Sequence, residues 1–282
     1  MADADTNSIK IPSGKDANSE NFPVGSWLLP ARLRPHVACF YAFARAADDI
    51  ADNPDLSPDE KIKRLDVFEA TLLGGSQNSQ KTMWMAASLK QTGITPQHCL
   101  DLLAAFRRDA IKSRYDDWLD LMAYCRLSAA PVGRYLIDLH GGSKLGYWPS
   151  DSLCAALQLI NHLQDCGDDY RTLNRVYLPM DWMAEAGVDA GDLAANKASP
   201  ALRQVMDWTL DGINALLLDA QTLPGQLYSG RLALESSVII QIARTLSKRL
   251  RQDDPLSGRV ELTATQLATC SVKGIISGLI FR

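Results

Sequence analysis

Two stretches of the chain are apolar on almost every side of a helix and yet lead into pairs of acidic residues. The segment VACFYAFA is followed by Asp48 and Asp52, and the segment CAALQLI is followed by Asp165 and Asp169. A helix that is apolar all round is buried, and residues four apart on a helix lie on one face. The sequence therefore predicts two buried helices, each of which presents two stacked carboxylates to a polar region.

Stacked carboxylates in an apolar setting need a cationic partner. Two carboxylates one turn apart repel each other, and each costs several kcal/mol when it is buried without a partner. Mg²⁺ prefers oxygen ligands and typically bridges one or two carboxylates to a substrate phosphate, so we expect the two pairs to share such ions. On the same faces lie Arg45 near Asp48, and Gln158 and Asn161 near Asp165. The alternative is that each pair marks a solvated helix end, which explains two such pairs less well than one.

Helix signals recur along the rest of the chain, whereas strand signals are poor. Ser57-Pro58 and Thr95-Pro96 are typical helix starts, and no segment alternates apolar and polar residues between hairpin turns. Further helices are predicted over 36–52, 116–140, 149–169, 200–223, 232–250 and 263–280, with a loop containing short helices over 170–199. We expect residues 1–20 to form a flexible polar arm and residues 21–282 to form one all-α domain of roughly eight or more helices.

Composition and charge exclude several classes of protein. The 33 acidic and 29 basic residues give a net charge of −4, which argues against a nucleic-acid binder with a broad basic face. No apolar run approaches the roughly 20 residues that cross a bilayer, and the polar N-terminus lacks the pattern of a secretory signal. The six cysteines lack metal-type spacing, which favours reduced thiols in the cytoplasm.

The two acidic segments resemble the aspartate-rich motifs of the squalene/phytoene synthase family, the head-to-head isoprenoid synthases. FYAFARAADDIAD, at 40–52, looks like the first motif, and QLINHLQDCGDD, at 158–169, looks like the second. The resemblance implies a single-domain helical bundle around a central apolar cavity, with roughly two or three Mg²⁺ ions bound together with a substrate diphosphate. It also implies a role for each of ten residues: metal binding by Asp48, Asp52, Asp165 and Asp169, substrate binding by Tyr41, Arg45, Gln158, Asn161 and Arg175, and catalysis by Tyr124 together with the four aspartates.

Two departures from the family pattern favour one of its branches. Condensing members keep a basic-Ser-Phe trio near the N-terminus, where this chain reads ENFP from Glu20, and they commonly keep a base where it has Gln164. Both changes remove positive charge from the place of a second diphosphate. The segments ENFPV and WLLP resemble bacterial hydroxysqualene synthases of the hopanoid pathway, which take presqualene diphosphate. The implied reaction is diphosphate ionisation, carbocation rearrangement and capture by water, which Tyr124, Gln158 or Asn161 would orient.

Other functions remain open from the sequence. A condensing prenyltransferase that makes presqualene diphosphate, squalene or phytoene from two allylic diphosphates would keep the same fold and metal site. A non-catalytic helical scaffold would not need four inward carboxylates. The chain lacks the Gly-rich signature of a dinucleotide site, so we expect neither NADPH nor flavin. The implied pathway partners are therefore a presqualene diphosphate synthase and a hydroxysqualene reductase.

Two features bear on where the protein works in the cell. A basic cluster at 244–251 is explained either by a solvated face, which is favoured, or by attraction to anionic lipid headgroups. The apolar segment IISGLIF at 275–281 is too short to span a bilayer, so it either closes the core or dips into a membrane interface. We expect a cytoplasmic protein, and the two features leave open peripheral contact with the inner face of the membrane.

Overall fold

A computed structural model describes residues 30–75 and 77–280 of the chain. In this part of the chain the regular structure is helical, apart from one isolated β-bridge between Tyr115 and Pro179. The all-α prediction is therefore confirmed. The predicted arm at 1–20, the ENFP segment and residues 27–29 lie outside the described residues.

The helices of the described part follow one another with short connections. They are α1 (Arg34–Ala51), α2 (Pro58–Leu72), α3 (Gln80–Thr92), α4 (Gln97–Ile111), α5 (Trp118–Ser128), α6 (Ala130–Leu139), α7 (Tyr147–Gln164), α8 (Cys166–Leu173), α9 (Met180–Glu185), α10 (Pro200–Ala220), α11 (Leu223–Gln226), α12 (Gly230–Gln252) and α13 (Ala264–Ile280). Short 3₁₀ helices cover Lys144–Gly146 and Ala190–Ala194. Within the described residues, no helix has both the length and the apolar character needed to cross a membrane.

Local sequence signals explain most helix boundaries and one error. The hydroxyl of Ser57 accepts a hydrogen bond from the Glu60 amide at 3.3 Å, so α2 begins where the capping pattern predicts. The single helix predicted over 116–140 is wrong, because the chain turns between α5 and α6. Pro131 follows this turn and occupies the first turn of α6, where its missing N–H costs nothing. Helix α3 was not predicted.

The prediction of one continuous helix over 149–169 is also wrong, because this stretch is divided into α7 and α8 at Asp165. The backbone of Asp165 has φ −103° and ψ 5°, outside the usual helical range. Nevertheless, the Asp165 amide still donates to the Asn161 carbonyl at 2.9 Å, and the Asp169 amide to the Asp165 carbonyl at 2.8 Å. The distortion therefore keeps the helical hydrogen bonds across the motif.

Two groups of buried apolar side chains form the interior. One joins α1 to α4 with α6, and includes a stacked pair of rings, Phe40 and Tyr135, with centroids 4.1 Å apart. The other centres on α7, which contacts α5, α6, α10 and α12. Helices α1 and α7 thus belong to different apolar groups, and a cavity lies between them.

Helix α13 packs very closely against α12 through a glycine. A methyl group on Gly274 would lie 2.4 Å from the Cα of Val238 and 2.7 Å from its backbone nitrogen. Because these are backbone atoms, α13 can approach α12 this closely only with glycine at position 274.

We expect the substitution Gly274→Ala to lower the free energy of unfolding by about 1–3 kcal/mol, since the added methyl group overpacks this contact. Urea unfolding followed by circular dichroism measures the effect. Gly258→Ala is the matched control, because nothing lies within 4 Å of a methyl group at that position. Equal stability of the two variants would contradict the close packing of α12 and α13.

Candidate active site

A cavity of about 870 Å³ lies between the two apolar groups, and it is polar at one end. All ten residues singled out in the sequence line it: Tyr41, Arg45, Asp48, Asp52, Tyr124, Gln158, Asn161, Asp165, Asp169 and Arg175. The fold therefore brings both acidic motifs and the central tyrosine to one cavity. The role of each residue stays a prediction.

The carboxylates of α1 are held by two arginines. Arg45 Nη1 lies 3.0 Å from Asp48 Oδ2, and Arg175 Nη1 lies 2.5 Å from Asp52 Oδ1. Arg175 is buried and also donates to the backbone carbonyls of Ala51 and Asp109, both at 3.2 Å. The segment after α8 is thereby fixed to the C-terminal end of α1.

The carboxylates of the second motif have basic neighbours as well. Asp165 is buried and forms an ion pair with Arg259, which lies in the segment between α12 and α13. Asp169 Oδ2 lies 3.7 Å from His162 Nδ1. Each of the four predicted metal ligands therefore has an arginine or histidine beside it.

Polar and aromatic side chains line the cavity next to the aspartates. The hydroxyl of Tyr124 donates to Asp109 Oδ2 at 2.9 Å, and the ring of Tyr177 stacks on His162 with centroids 3.5 Å apart. Burial raises the pKa of Asp109 to about 7, with the positive charge of Arg175 acting in the opposite direction. Asp109 therefore changes its protonation near neutral pH, whereas burial keeps the Tyr124 hydroxyl protonated by raising its pKa.

The motif analysis does not identify four residues of the site as functional: Asp109, His162, Tyr177 and Arg259. Arg259 meets Asp165 across 94 positions of sequence, so no local spacing could reveal the pair. Asp109 lies near the end of an ordinary amphipathic helix, and only its hydrogen bond with Tyr124 distinguishes it from a surface acid. His162 lies one residue from Asn161 and could have been found as the i+4 neighbour of Gln158, whose amide lies 3.2 Å from its ring.

The remaining wall of the cavity is mainly apolar. Side chains from α1, α4, α6, α7 and α12 line it, among them Phe40, Phe106, Leu136, Leu157 and Ile239. Gln158 marks the boundary with the polar end, where its amide donates to the hydroxyl of Ser128 at 2.8 Å. The cavity can thus hold a long apolar molecule with an anionic head at the aspartates.

The donor set fits a hard divalent cation that binds together with a phosphate ligand. Burial, and the facing charge of Asp52, raise the pKa of Asp48, while the positive charge of Arg45 acts in the opposite direction, so a cation bound at this pair would favour the ionised carboxylates. Among the described residues, no three Asp, Glu, His or Cys side chains are grouped closely enough to hold a metal ion alone. Mg²⁺ commonly takes only one or two carboxylates and completes its shell with water and phosphate oxygens.

Comparison with known proteins agrees with this geometry. The family model for squalene/phytoene synthase matches residues 15–266. The chain is 44% identical to a hydroxysqualene synthase of Rhodopseudomonas palustris over 98% of this chain and 95% of that protein. It is 43% identical to one from Sinorhizobium fredii, over 88% and 85% of the two chains.

Solved structures show the same fold. A squalene synthase from Alicyclobacillus acidocaldarius superposes with a TM-score of 0.72 at 28% identity, over 81% of this chain and 87% of that one. A dehydrosqualene synthase determined with a ligand superposes with a TM-score of 0.79 at 22% identity, over 94% and 93%. The fold and the cavity are those of an all-α isoprenoid synthase. The chain belongs to the squalene/phytoene synthase family.

We expect Asp109→Asn to change how stability depends on pH. The raised pKa of Asp109 means that the folded protein favours the protonated carboxyl, so the wild type loses stability as pH rises from about 4 to 7. Asparagine stays neutral, so the variant avoids this loss and gains relative to the wild type at pH 8. Urea unfolding at pH 4 and pH 8, in the presence of a chelator, measures the gain. Asp116→Asn, at an exposed position, is the control. An identical difference between variant and wild type at both pH values would contradict the burial of Asp109.

Proposed function

We propose that this protein converts presqualene diphosphate to hydroxysqualene. The observation that supports it most is the placement of four aspartates at one end of an apolar cavity, in a chain 44% identical to a hydroxysqualene synthase over almost its whole length. A volume of about 870 Å³ lies in the upper part of the range for small-molecule sites, which suits a C30 hydrocarbon. The proposed substrate carries one diphosphate, which would lie at the aspartates.

The polar end of the cavity is built to receive and release a diphosphate. Asp48, Asp52, Asp165 and Asp169 would hold Mg²⁺, which when bound neutralises the charge that develops on the leaving diphosphate. Arg45 supplies a fixed positive charge on α1. Arg175 supplies a second, and its contacts to two backbone carbonyls hold it in place.

The apolar wall and the polar side chains next to the aspartates would act on the organic cation. The rings of Tyr41 and Phe40 line the cavity near α1, where an aromatic face can stabilise positive charge. Water capture needs a polar group at the boundary between the two regions. Tyr124, held by Asp109, and Gln158, held by Ser128, both occupy that boundary, and Asn161 lines it from the same helix as Gln158.

One position supports this branch over the condensing enzymes. Gln164, where condensing members commonly keep a base, is buried and donates its amide to the Val260 carbonyl at 2.5 Å. Its side chain is therefore engaged with the backbone of the segment after α12. A neutral amide at this position suits a substrate with a single diphosphate.

The cellular setting follows from the reaction. A presqualene diphosphate synthase would supply the substrate, and a hydroxysqualene reductase would consume the product. Because the product is a C30 lipid, we propose that the protein is cytoplasmic and contacts the inner face of the membrane peripherally. The reaction itself needs neither NADPH nor flavin, because no electrons are transferred when water captures the cation.

The proposed metal site predicts that Asp48→Ala and Asp165→Ala each lower kcat/KM by at least about 100-fold with presqualene diphosphate and Mg²⁺, because charge on the leaving group is no longer compensated. Both variants should remain folded by circular dichroism, with Asp165→Ala melting at a lower temperature because it loses its ion pair with Arg259. Asp55→Ala, at an exposed position just beyond α1, is the control and should keep full activity. Normal turnover by either site variant would refute the metal assignment.

The proposed branch predicts different outcomes for two substrates. With Mg²⁺, presqualene diphosphate should yield hydroxysqualene, whereas farnesyl diphosphate alone should yield no presqualene diphosphate. Mass spectrometry of the extracted products distinguishes hydroxysqualene from presqualene diphosphate. Incorporation of ¹⁸O from labelled water into the alcohol would show water capture directly. Presqualene diphosphate formed from farnesyl diphosphate would instead assign the protein to the condensing enzymes.

A further inference from the structure

Six large apolar side chains are exposed on segments that meet at one end of the helical bundle. They are Leu145 (73% exposed), Trp148 (70%), Leu218 (65%), Tyr228 (72%), Ile276 (53%) and Leu279 (67%), and we call this surface the apolar pole. Single exposed apolar residues are ordinary, but a group of them marks an interaction surface.

Packing contacts bring the segments of the apolar pole together. Gly146, which directly precedes α7, packs against the carbonyl of Gln226 at the end of α11 and against Leu227, which follows it. At the other side of α12, Gly278 packs against Leu234 and Ser237, so the end of α13 lies beside the beginning of α12. Helix α10 ends at Ala220, and only two residues separate it from α11.

The apolar pole lies at the far end of the cavity from the aspartates. Trp148 precedes Asp165 by 17 positions along α7, a distance of about 25 Å at 1.5 Å per residue. Leu223, Leu227 and Leu232 come from the same segments as the pole and line the cavity. The same segments therefore form the floor of the cavity on their inner side and the apolar pole on their outer side.

The charge of the pole is positive. The segments 144–150, 216–231 and 272–280 contain the exposed bases Lys144, Arg231 and Lys273 and one acid, Asp219. Basic residues beside an apolar surface favour anionic lipid headgroups, and Trp and Tyr are the residues enriched at membrane interfaces. By contrast, the basic cluster at 244–251 is partly neutralised, because Arg249 and Arg251 lie 2.6 and 2.5 Å from aspartates.

We infer that the apolar pole docks onto the surface of an anionic bilayer. Exposed aromatic and aliphatic side chains enter the interface, and the three bases contact the headgroups. Docking in this orientation places the cavity floor against the lipid and keeps the aspartates facing the aqueous phase. This inference rests on the peripheral membrane contact proposed above and deepens it, because it names the surface that makes the contact.

The test is co-sedimentation of the full chain with vesicles of phosphatidylcholine alone or mixed with phosphatidylglycerol. We expect binding to the anionic vesicles, and Trp148→Glu combined with Leu279→Glu should lower the bound fraction about tenfold. The matched control is Trp84→Glu with Leu119→Glu, which changes the same residue types at exposed positions outside the pole (55% and 76% exposed). Both pairs should keep the wild-type melting temperature and the wild-type turnover in detergent.

A second variant tests the role of charge. Lys144→Glu combined with Lys273→Glu should remove the preference for anionic vesicles without altering the melting temperature. The inference is overturned if the wild type binds neither kind of vesicle, or if the pole and control variants lose binding equally. It is also overturned if the wild type is a dimer in solution that the pole variant dissociates, since the surface then binds a second copy of the chain. Because binding and turnover are measured separately, failure of the docking is distinguishable from failure of the proposed function.

Discussion

The need to compensate four carboxylates at the ends of apolar helices governs the arrangement of this molecule. An acid withdrawn from water is costly unless a positive charge or several hydrogen-bond donors face it. Here each aspartate of the two motifs has a basic neighbour, and two of these neighbours come from distant parts of the chain: Arg175 for Asp52 and Arg259 for Asp165. Charge compensation thus fixes connecting segments against the helix ends, in addition to the packing of the apolar interior.

The two ends of the cavity follow from the same separation of polar and apolar residues along α7. The apolar residues of this helix between 153 and 160 pack among apolar neighbours, while Gln158, Asn161, His162 and Asp165 line the polar end. A substrate with an anionic head and a long hydrocarbon body has one orientation in such a cavity. The apolar floor then ends at a surface that is itself apolar and basic. The change from apolar to polar residues along α7 thereby sets where the head of a ligand and its hydrocarbon body lie, and the apolar end of α7 continues into the external surface.

The motifs could be identified from the sequence because their information is local. Asp48 and Asp52, like Asp165 and Asp169, are separated by one helical turn, and this spacing survives even where the helix is interrupted at Asp165. Arg259 and Asp109 join the site only through tertiary contacts, so helical periodicity could not predict their partners. The error over 116–140 has a local cause as well, since Pro131 lies in the first turn of α6 and not in the interior of one long helix.

The hydrogen bond between Gln164 and the Val260 carbonyl has a consequence for the charge at the acidic end of the cavity. Val260 is adjacent to Arg259, so the amide of Gln164 fixes the backbone of the segment from which Arg259 reaches Asp165. A residue without a side-chain donor at position 164 would leave the Val260 carbonyl without this hydrogen bond and would release the segment that carries Arg259. The positive charge that faces Asp165 therefore depends on a neutral side chain, since Gln164 holds the segment from which Arg259 reaches that carboxylate.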